Sequence, residues 1–398
     1  MTISIGIINE SAKTVSEKRV ALTPEAIKST LNKQKEDVVF LIEEGAGVAS
    51  YNYDENYKEA GAKTVSRNEA LKADILLFIN IPNSDIIKSI KKGALVISFF
   101  NSDKNKDVVE ELKKEGLQAV DINKLPRKLS NAQSMDALTS QSSVAGYKAA
   151  IKAATEFSRM FPMLTTAAGT IKPASVLVLG AGIAGLQAIA TAKRLGAVVT
   201  AFDVRPEAEE EVLSLGARFL DLPSFVSSEE KQILSTINQQ QGEGGLARKL
   251  TPEELAIQKK ATDNAVGSFD ILITTAQVPG SEPPQFVSAQ GVQNMKPGSV
   301  IIDMAASEKG GNVEGSKPNQ TVVIQHVKVV GAPDLASDAA SSASALLAKN
   351  FLDIALHFTE KTDEGLTVSI KPEDELAKNM VVNFQAIEKT NEEKGEEK

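Results

Sequence analysis

The chain has no cysteine and no tryptophan, and its only imidazoles are His326 and His357. Without thiols there is no disulfide framework, no thiolate nucleophile and no thiolate metal site. Two isolated histidines and no acidic cluster argue against metal chemistry and against Ser-His-Asp catalysis. Positive charge is also short: 44 Lys and Arg against 52 Asp and Glu leave a net charge of −8. A nucleic-acid surface needs clustered cations to neutralise phosphates, so that class is set aside. Nowhere do about 18 apolar residues follow one another, the length that a bilayer-spanning helix requires. The opening residues Met1 to Ile8 read as a strand and lack the basic stretch and cleavage site of a secretory signal. The expected location is the cytoplasm.

What remains is enough chain for two domains, 398 residues in all. The first third alternates short apolar runs, Ile3 to Ile8, Val38 to Ile42, Ile75 to Ile79, Ala94 to Phe100 and Leu117 to Val120, with helical patterns such as Glu25 to Leu31 and Val108 to Glu115. Thr23-Pro24-Glu25 is a helix start, with Thr as cap, Pro at the first helical position and a carboxylate near the positive end of the dipole. Such alternation predicts an α/β layer with a mainly parallel sheet. An Ala-rich helical pattern from Ser134 to Pro162 leads into a second α/β unit beginning at Ser175, and Ala339 to Phe358 reads as another long apolar helix. The fold expected is α/β, two Rossmann-like domains with mainly parallel sheets, joined by two long helices. The boundaries expected are 1–134 plus 336–383 for a discontinuous first domain and 140–333 for the second. The charged tail 384–398, poor in apolar residues, is expected to be disordered.

Ser175 to Leu179 is a short β run that enters Gly180-Ala181-Gly182-Ile183-Ala184-Gly185 and continues as an apolar helix. This is G-x-G-x-x-G in strand-turn-helix context, the dinucleotide fingerprint. Gly180 permits the turn, Gly182 lets the backbone approach a pyrophosphate, and Gly185 allows helix and strand to pack closely. A second strand, Ala197 to Phe202, ends in Asp203, placed to accept hydrogen bonds from the adenosine ribose. A carboxylate there would repel a 2′-phosphate, which favours NAD(H), with Val204 beside it; Arg205 pulls the other way because an arginine near that strand end can hold a 2′-phosphate. Two further strand ends should face the ligand, Phe269 to Thr275 and Ser299 to Met304, making Thr275, Ala276 and Gln277 cofactor contacts. Asp303 is equally explained as a turn cap. Glu44-Gly45-Ala46-Gly47 also offers G-x-G after a strand, but no amphipathic helix follows, so it reads as a turn.

Two segments are less regular. Leu125 to Asp136 packs Arg127, Lys128, Asn131, Gln133 and Asp136 into a short stretch. Gln133, Asp136 and Ser140 supply the partner types that a nicotinamide carboxamide and ribose need. A solvated loop with Ser134 as helix cap explains the same residues. The polar, Gly-rich insertion around Gln239 to Gly245 is either a lid or a disordered surface loop.

Arg19-Val20-Ala21-Leu22-Thr23-Pro24, Ala132-Gln133-Ser134-Met135-Asp136-Ala137-Leu138, Ala145-Gly146-Tyr147, Gly182 to Ala190 and Met295 to Asp303 together resemble the nucleotide-binding first domain of proton-translocating nicotinamide nucleotide transhydrogenases. The likeness covers roughly residues 1 to 380 and implies an enzyme component that binds NAD(H), forms a homodimer and exchanges hydride with NADP(H) on a partner domain. A membrane subunit would couple the transfer to proton movement, leaving this chain peripheral on an inner membrane through its partners. By the same resemblance Gln133 holds the carboxamide, Asp136 and Ser140 or Thr139 support the nicotinamide ribose, and Arg127 is the family arginine, or Lys128 if no gap is counted. The Gly244 to Arg248 segment resembles a loop that closes over NAD(H), with Leu246 where an aromatic is common.

Alanine dehydrogenases share this architecture and are the rival reading. Their substrate lysine and histidine correspond here to Asn80 and Asn101. Oxidising an amino acid requires a group that can take and return a proton. Asparagine does not titrate, whereas hydride passing between two nicotinamides asks only for alignment and water exclusion. A non-enzymatic NAD-sensing module is the third possibility.

Overall fold

The computed structural model describes residues 2–11, 17–34, 37–237, 251–276, 282–363 and 365–383. The expected tail 384–398, Leu246 with the candidate lid around it, and Gln277 lie outside the described residues. The described chain forms two units, one built from residues up to Gln141 and again from Ser337 onward, the other from Ser142–Ala336.

In the first unit, β1 (Ile3–Ile7), β2 (Val38–Glu43), β3 (Lys63–Val65), β4 (Ile75–Leu77), β5 (Leu95–Ser98) and β6 (Gln118–Asp121) form one sheet in the order β3-β2-β1-β4-β5-β6. Every neighbouring pair is parallel. The central strands are apolar throughout because both faces are covered. Period-two alternation sends Ile75 and Leu77 to a cluster with Ile27, Leu347, Phe351 and Ile354, and Leu76 to the opposite cluster with Ile87, Leu112 and Val96. The strand order reverses between β1 and β4, the place where open α/β sheets bind ligands.

In the second unit an antiparallel hairpin, β7 (Leu164–Thr166) and β8 (Gly169–Ile171), precedes the sheet. The strands β9 (Ser175–Leu179), β10 (Val198–Phe202), β11 (Arg218–Phe219), β12 (Ile271–Thr274), β13 (Val300–Asp303), β14 (Thr321–Ile324) and β15 (Val327–Gly331) follow in the order β11-β10-β9-β12-β13-β15-β14. All pairs are parallel except β14 with β15. Val176 and Val178 face a cluster with Ala149, Ala153 and Ile189, while Leu177 and Leu179 face Ile257 and Ala265. Here the order reverses between β9 and β12, so the glycine-rich turn leaving β9 stands at the switch point. The first unit also contains a hairpin of β16 (Thr359–Thr362) and β17 (Gly365–Val368).

The two long helices are Ala137–Glu156 and Ala340–His357. Where the sequence offered Ser134 as the cap of the first, the bond belongs to Asp136, whose Oδ1 accepts the Thr139 N–H at 2.9 Å. The helix packs tightly on the glycine-loop helix Ile183–Arg194: a Cβ on Gly146 would stand 2.1 Å from the Ala184 carbonyl oxygen. The small Ala and Gly side chains of this stretch therefore serve close backbone approach. Among the described residues no helix is long and apolar enough to cross a membrane, and no group of three or more acidic or imidazole side chains could hold a metal ion.

Candidate functional site

The residues singled out in the second unit converge on the turn after β9. Gly180 has φ of +94°, a left-handed conformation that disfavours any side chain, and a Cβ there would meet Thr275 Oγ1 at 2.7 Å. A Cβ on Gly185 would overlap the Gly180 carbonyl oxygen at 1.9 Å. Gly182 differs: it is exposed, its φ is ordinary and a Cβ would meet nothing within 4 Å. Two of the glycines are thus required by the turn and its packing, and the third only keeps open the surface before the helix. Gly182 caps the helix that Ile183 and Ala184 begin, no side chain bonds to its first turn, and that turn contains no acid. An uncapped helix start without a carboxylate is a ready acceptor of negative charge. The residues present fit a pyrophosphate.

Asp203, at the end of β10, touches this loop directly, its Oδ2 accepting the Ala181 N–H at 2.8 Å. Its Oδ1 accepts from the Arg205 backbone N–H at 2.9 Å and from Arg205 Nε at 3.0 Å. Arg205 Nη2 also donates to the Ala181 carbonyl at 3.2 Å. The hydrogen bond to Asp203 raises the arginine's pKa above its ordinary value. Val204 packs on the apolar cluster below. Thr275 Oγ1 donates to the Gly180 carbonyl at 3.0 Å, fastening the β12 end to the glycine turn. Ala276 is held by Asn312, which sequence reading missed: its Oδ1 accepts the Ala276 N–H at 3.1 Å and its Nδ2 donates to the Ala276 and Pro284 carbonyls at 2.9 and 2.7 Å. The signal was the preceding Gly310-Gly311, since a Cβ on Gly311 would strike Asp303 Oδ2 at 2.2 Å. Asp303 is a buried turn clamp, accepting from Thr274 Oγ1 and the Ala305 N–H at 3.0 Å each; burial raises its pKa.

The remaining candidates lie in the first unit. Gln133 is on the 3₁₀ turn Ser130–Met135, exposed, and its carboxamide has no hydrogen-bond partner among the described residues. Asp136 is engaged on both oxygens: besides the Thr139 N–H, Thr139 Oγ1 donates to Oδ2 at 2.6 Å, and Arg127 Nε lies 3.6 Å from the same oxygen. Of the two cations at issue it is Arg127 that pairs with Asp136. Ser140 Oγ donates to Asn350 Oδ1 at 2.7 Å. The loop thus presents one unengaged amide on a network of satisfied groups.

At the switch point of the first unit, Glu10 accepts the Ile79 and Asn80 N–H groups at 2.8 and 2.7 Å. Asn80 Nδ2 reaches Glu10 Oε2 and Glu17 Oε2 at 3.2 Å each. Glu17 is buried against Arg19, whose Nη2 and Nε donate to it at 2.7 and 2.9 Å and whose Nη1 donates to Gln141 at 3.0 Å. Arg19 holds the Glu17 carboxyl below its ordinary value, outweighing its desolvation. Burial instead pushes Glu10 from 4.5 up to about 7, and the nearby Glu17 charge acts in the same direction. Folding therefore favours protonated Glu10, a contribution complete below pH 4.5 and lost as the pH rises through about 7. Thermal melts in steps across that window should show the midpoint of the wild type falling more steeply with pH than that of Glu10→Gln; parallel profiles would refute the assignment. Asn101, the other position aligned with a dehydrogenase base, has φ of +47° and donates its N–H to Asp121 Oδ1 at 3.3 Å.

Comparison with known proteins places this geometry in a family. The N-terminal domain of the alanine dehydrogenase/PNT family matches residues 6–145 and its C-terminal domain residues 149–389. An NAD(P) transhydrogenase subunit alpha protein of Rhodospirillum rubrum is 42% identical over 364 residues, covering 90% of this chain and 91% of that protein. The crystal structure of a transhydrogenase from Sinorhizobium meliloti matches with a TM-score of 0.75 and 35% identity over 95% of this chain and 96% of that one. Alanine dehydrogenase 1 of Staphylococcus aureus is more distant, 26% identical over 371 residues, 91% of this chain and 88% of that protein. The chain belongs to the alanine dehydrogenase/PNT family, and within it to the NAD(P) transhydrogenase alpha subunits.

Proposed function

We propose that this chain is the NAD(H)-binding component of a transhydrogenase, exchanging hydride between NAD(H) held here and NADP(H) held by a partner domain. The observation that carries the reading is the chemistry at Asn80 and Asn101, where alanine dehydrogenases have a lysine and a histidine. Both positions are amides tied into hydrogen bonds, and neither can move a proton. Glu10 titrates near neutrality, but its oxygens are occupied by the Ile79 and Asn80 amides.

When bound, the dinucleotide supplies the whole of the redox chemistry, a hydride leaving or entering C4 of its nicotinamide. The protein's residues bind and orient. The helix start at Gly182 and Ile183 holds the pyrophosphate through backbone N–H groups, and Asp203 accepts from the adenosine ribose hydroxyls, exchanging its Arg205 bonds for them. Arg205, already paired with that carboxylate, is not presented to a 2′-phosphate, which favours NAD(H) over NADP(H). Gln133 bonds the carboxamide and fixes the ring; Asp136, steadied by Arg127, supports the nicotinamide ribose with Thr139 or Ser140.

The chain functions in an assembly with an NADP(H)-binding domain and a membrane subunit that conducts protons, and so is peripheral on an inner membrane. It pairs as a homodimer, a reading supported by the β7–β8 hairpin, which leaves Met163, Leu164 and Ile171 exposed. Converting Leu164 and Ile171 together to Glu should halve the mass measured by sedimentation; an unchanged mass would remove the hairpin from the interface.

The test of the function is an omission series with this chain, NADH, a thionicotinamide analogue of NADP⁺ and a purified NADP-binding partner domain. Analogue reduction should require all four. Reduction of NAD⁺ by L-alanine with this chain alone would establish the dehydrogenase reading, and stoichiometric NADH binding with no transfer to any partner would establish a sensor.

A further inference from the structure

The turn that carries Gln133 is held at two points by one amide from a distant part of the chain. Asn350 lies within the apolar helix Ala340–His357, 7% exposed, beside Leu347, Phe351 and Ile354. Its Nδ2 donates to the Ser134 carbonyl at 2.7 Å, and its Oδ1 accepts from Ser140 Oγ at 2.7 Å. The carbonyl can only accept, so the amide's orientation is set, and both of its ends are satisfied. A buried amide in an apolar helix is costly unless bonded in this way. The two anchors bracket Asp136 and Thr139, and the first is the residue directly after Gln133, whose own carbonyl accepts the Asp136 N–H at 3.3 Å.

We infer that Asn350 is a positioning residue for hydride transfer, clamping the Ser134–Ser140 backbone so that Gln133 and Asp136 meet the nicotinamide in one fixed arrangement. The inference rests on the placement of the nicotinamide at this loop proposed above. A ring held by a loosened loop still binds through the pyrophosphate and adenosine end, but it spends less time aligned. Small misplacement of a reacting group can cost up to about a hundredfold in rate.

Asn350→Asp keeps the acceptor for Ser140 and turns a carboxylate oxygen toward the Ser134 carbonyl. Leu347→Ala, a core loss in the same helix, is the control for destabilisation. With the full chain, the partner domain, NADH and the thionicotinamide analogue, Asn350→Asp should slow single-turnover hydride transfer by at least about tenfold. Its NADH dissociation constant should stay within about threefold of wild type, while Leu347→Ala lowers the melting midpoint and retains the rate. An unchanged rate in Asn350→Asp, or rate and affinity falling together by one factor, overturns the clamp. If Asn350→Asp does not fold, Asn350→Ser is judged by the same two outcomes. Gln133→Ala in parallel separates the claims: slow Gln133→Ala with fast Asn350→Asp removes the clamp alone, and fast Gln133→Ala removes the loop's role and the clamp with it.

Discussion

Gly182→Val is expected to remove NADH binding from a protein that still folds. The glycine is exposed, its backbone lies in a region open to any residue, and the added side chain meets nothing of the protein. The melting midpoint should therefore stay within about 2 °C of wild type, as for a surface change of about 0.5 kcal/mol. The isopropyl group would project before the helix start and keep a pyrophosphate from its N–H groups. Hydrogen bonds to a charged group contribute about 1.5–3 kcal/mol each, so losing one or two weakens binding on the order of a hundredfold. Gly185→Ala is the contrast: its Cβ would overlap the Gly180 carbonyl, so fold and binding should fail together. NADH fluorescence titrations beside thermal melts decide the matter; wild-type affinity in Gly182→Val would place the dinucleotide elsewhere.

Gln133→Ala should act on the reaction more than on binding. The carboxamide is exposed and unengaged, so its loss breaks no internal bond and the midpoint should hardly move. The other contacts keep the dinucleotide bound, and the dissociation constant should change by less than about threefold. Freed from its one amide partner, the ring samples orientations unsuited to transfer, and the rate should fall roughly ten- to hundredfold. Stopped-flow transfer rates compared with titrations of the same samples test this; equal effects on both would strip Gln133 of its orienting role.

Much of this was legible because the informative patterns are local. The β9 run, three glycines at fixed spacing, an apolar helix and an acid closing the next strand lie within one short stretch, and each has a physical requirement that the structure displays. Central strands such as β4 and β5 announce themselves by unbroken apolar runs. The edges do not: Arg218–Phe219 becomes a strand only by pairing with Thr200 and Ala201, and the β7–β8 hairpin carries no buried face to create a pattern. Around the candidate site the chemistry of Gln133 and Asp136 could be read, but the choice of Asp136 over Ser134 as helix cap depends on backbone direction. Asn312 and Asn350 act across long stretches of chain, and a single amide in an apolar helix signals only that a partner exists. The glutamates at 10 and 17 owe their opposite shifts to burial and to Arg19, which no spacing rule conveys.

The central claim is that hydride passes directly between two dinucleotides and that this chain contributes no acid or base to the transferred hydrogen. NADH deuterated at the transferable C4 position, with NADP⁺ and the partner domain in ordinary water, tests it in one measurement by mass spectrometry of the NADPH formed. The account predicts NADPH carrying the full deuterium label. NADPH in which solvent hydrogen has replaced the label would contradict it.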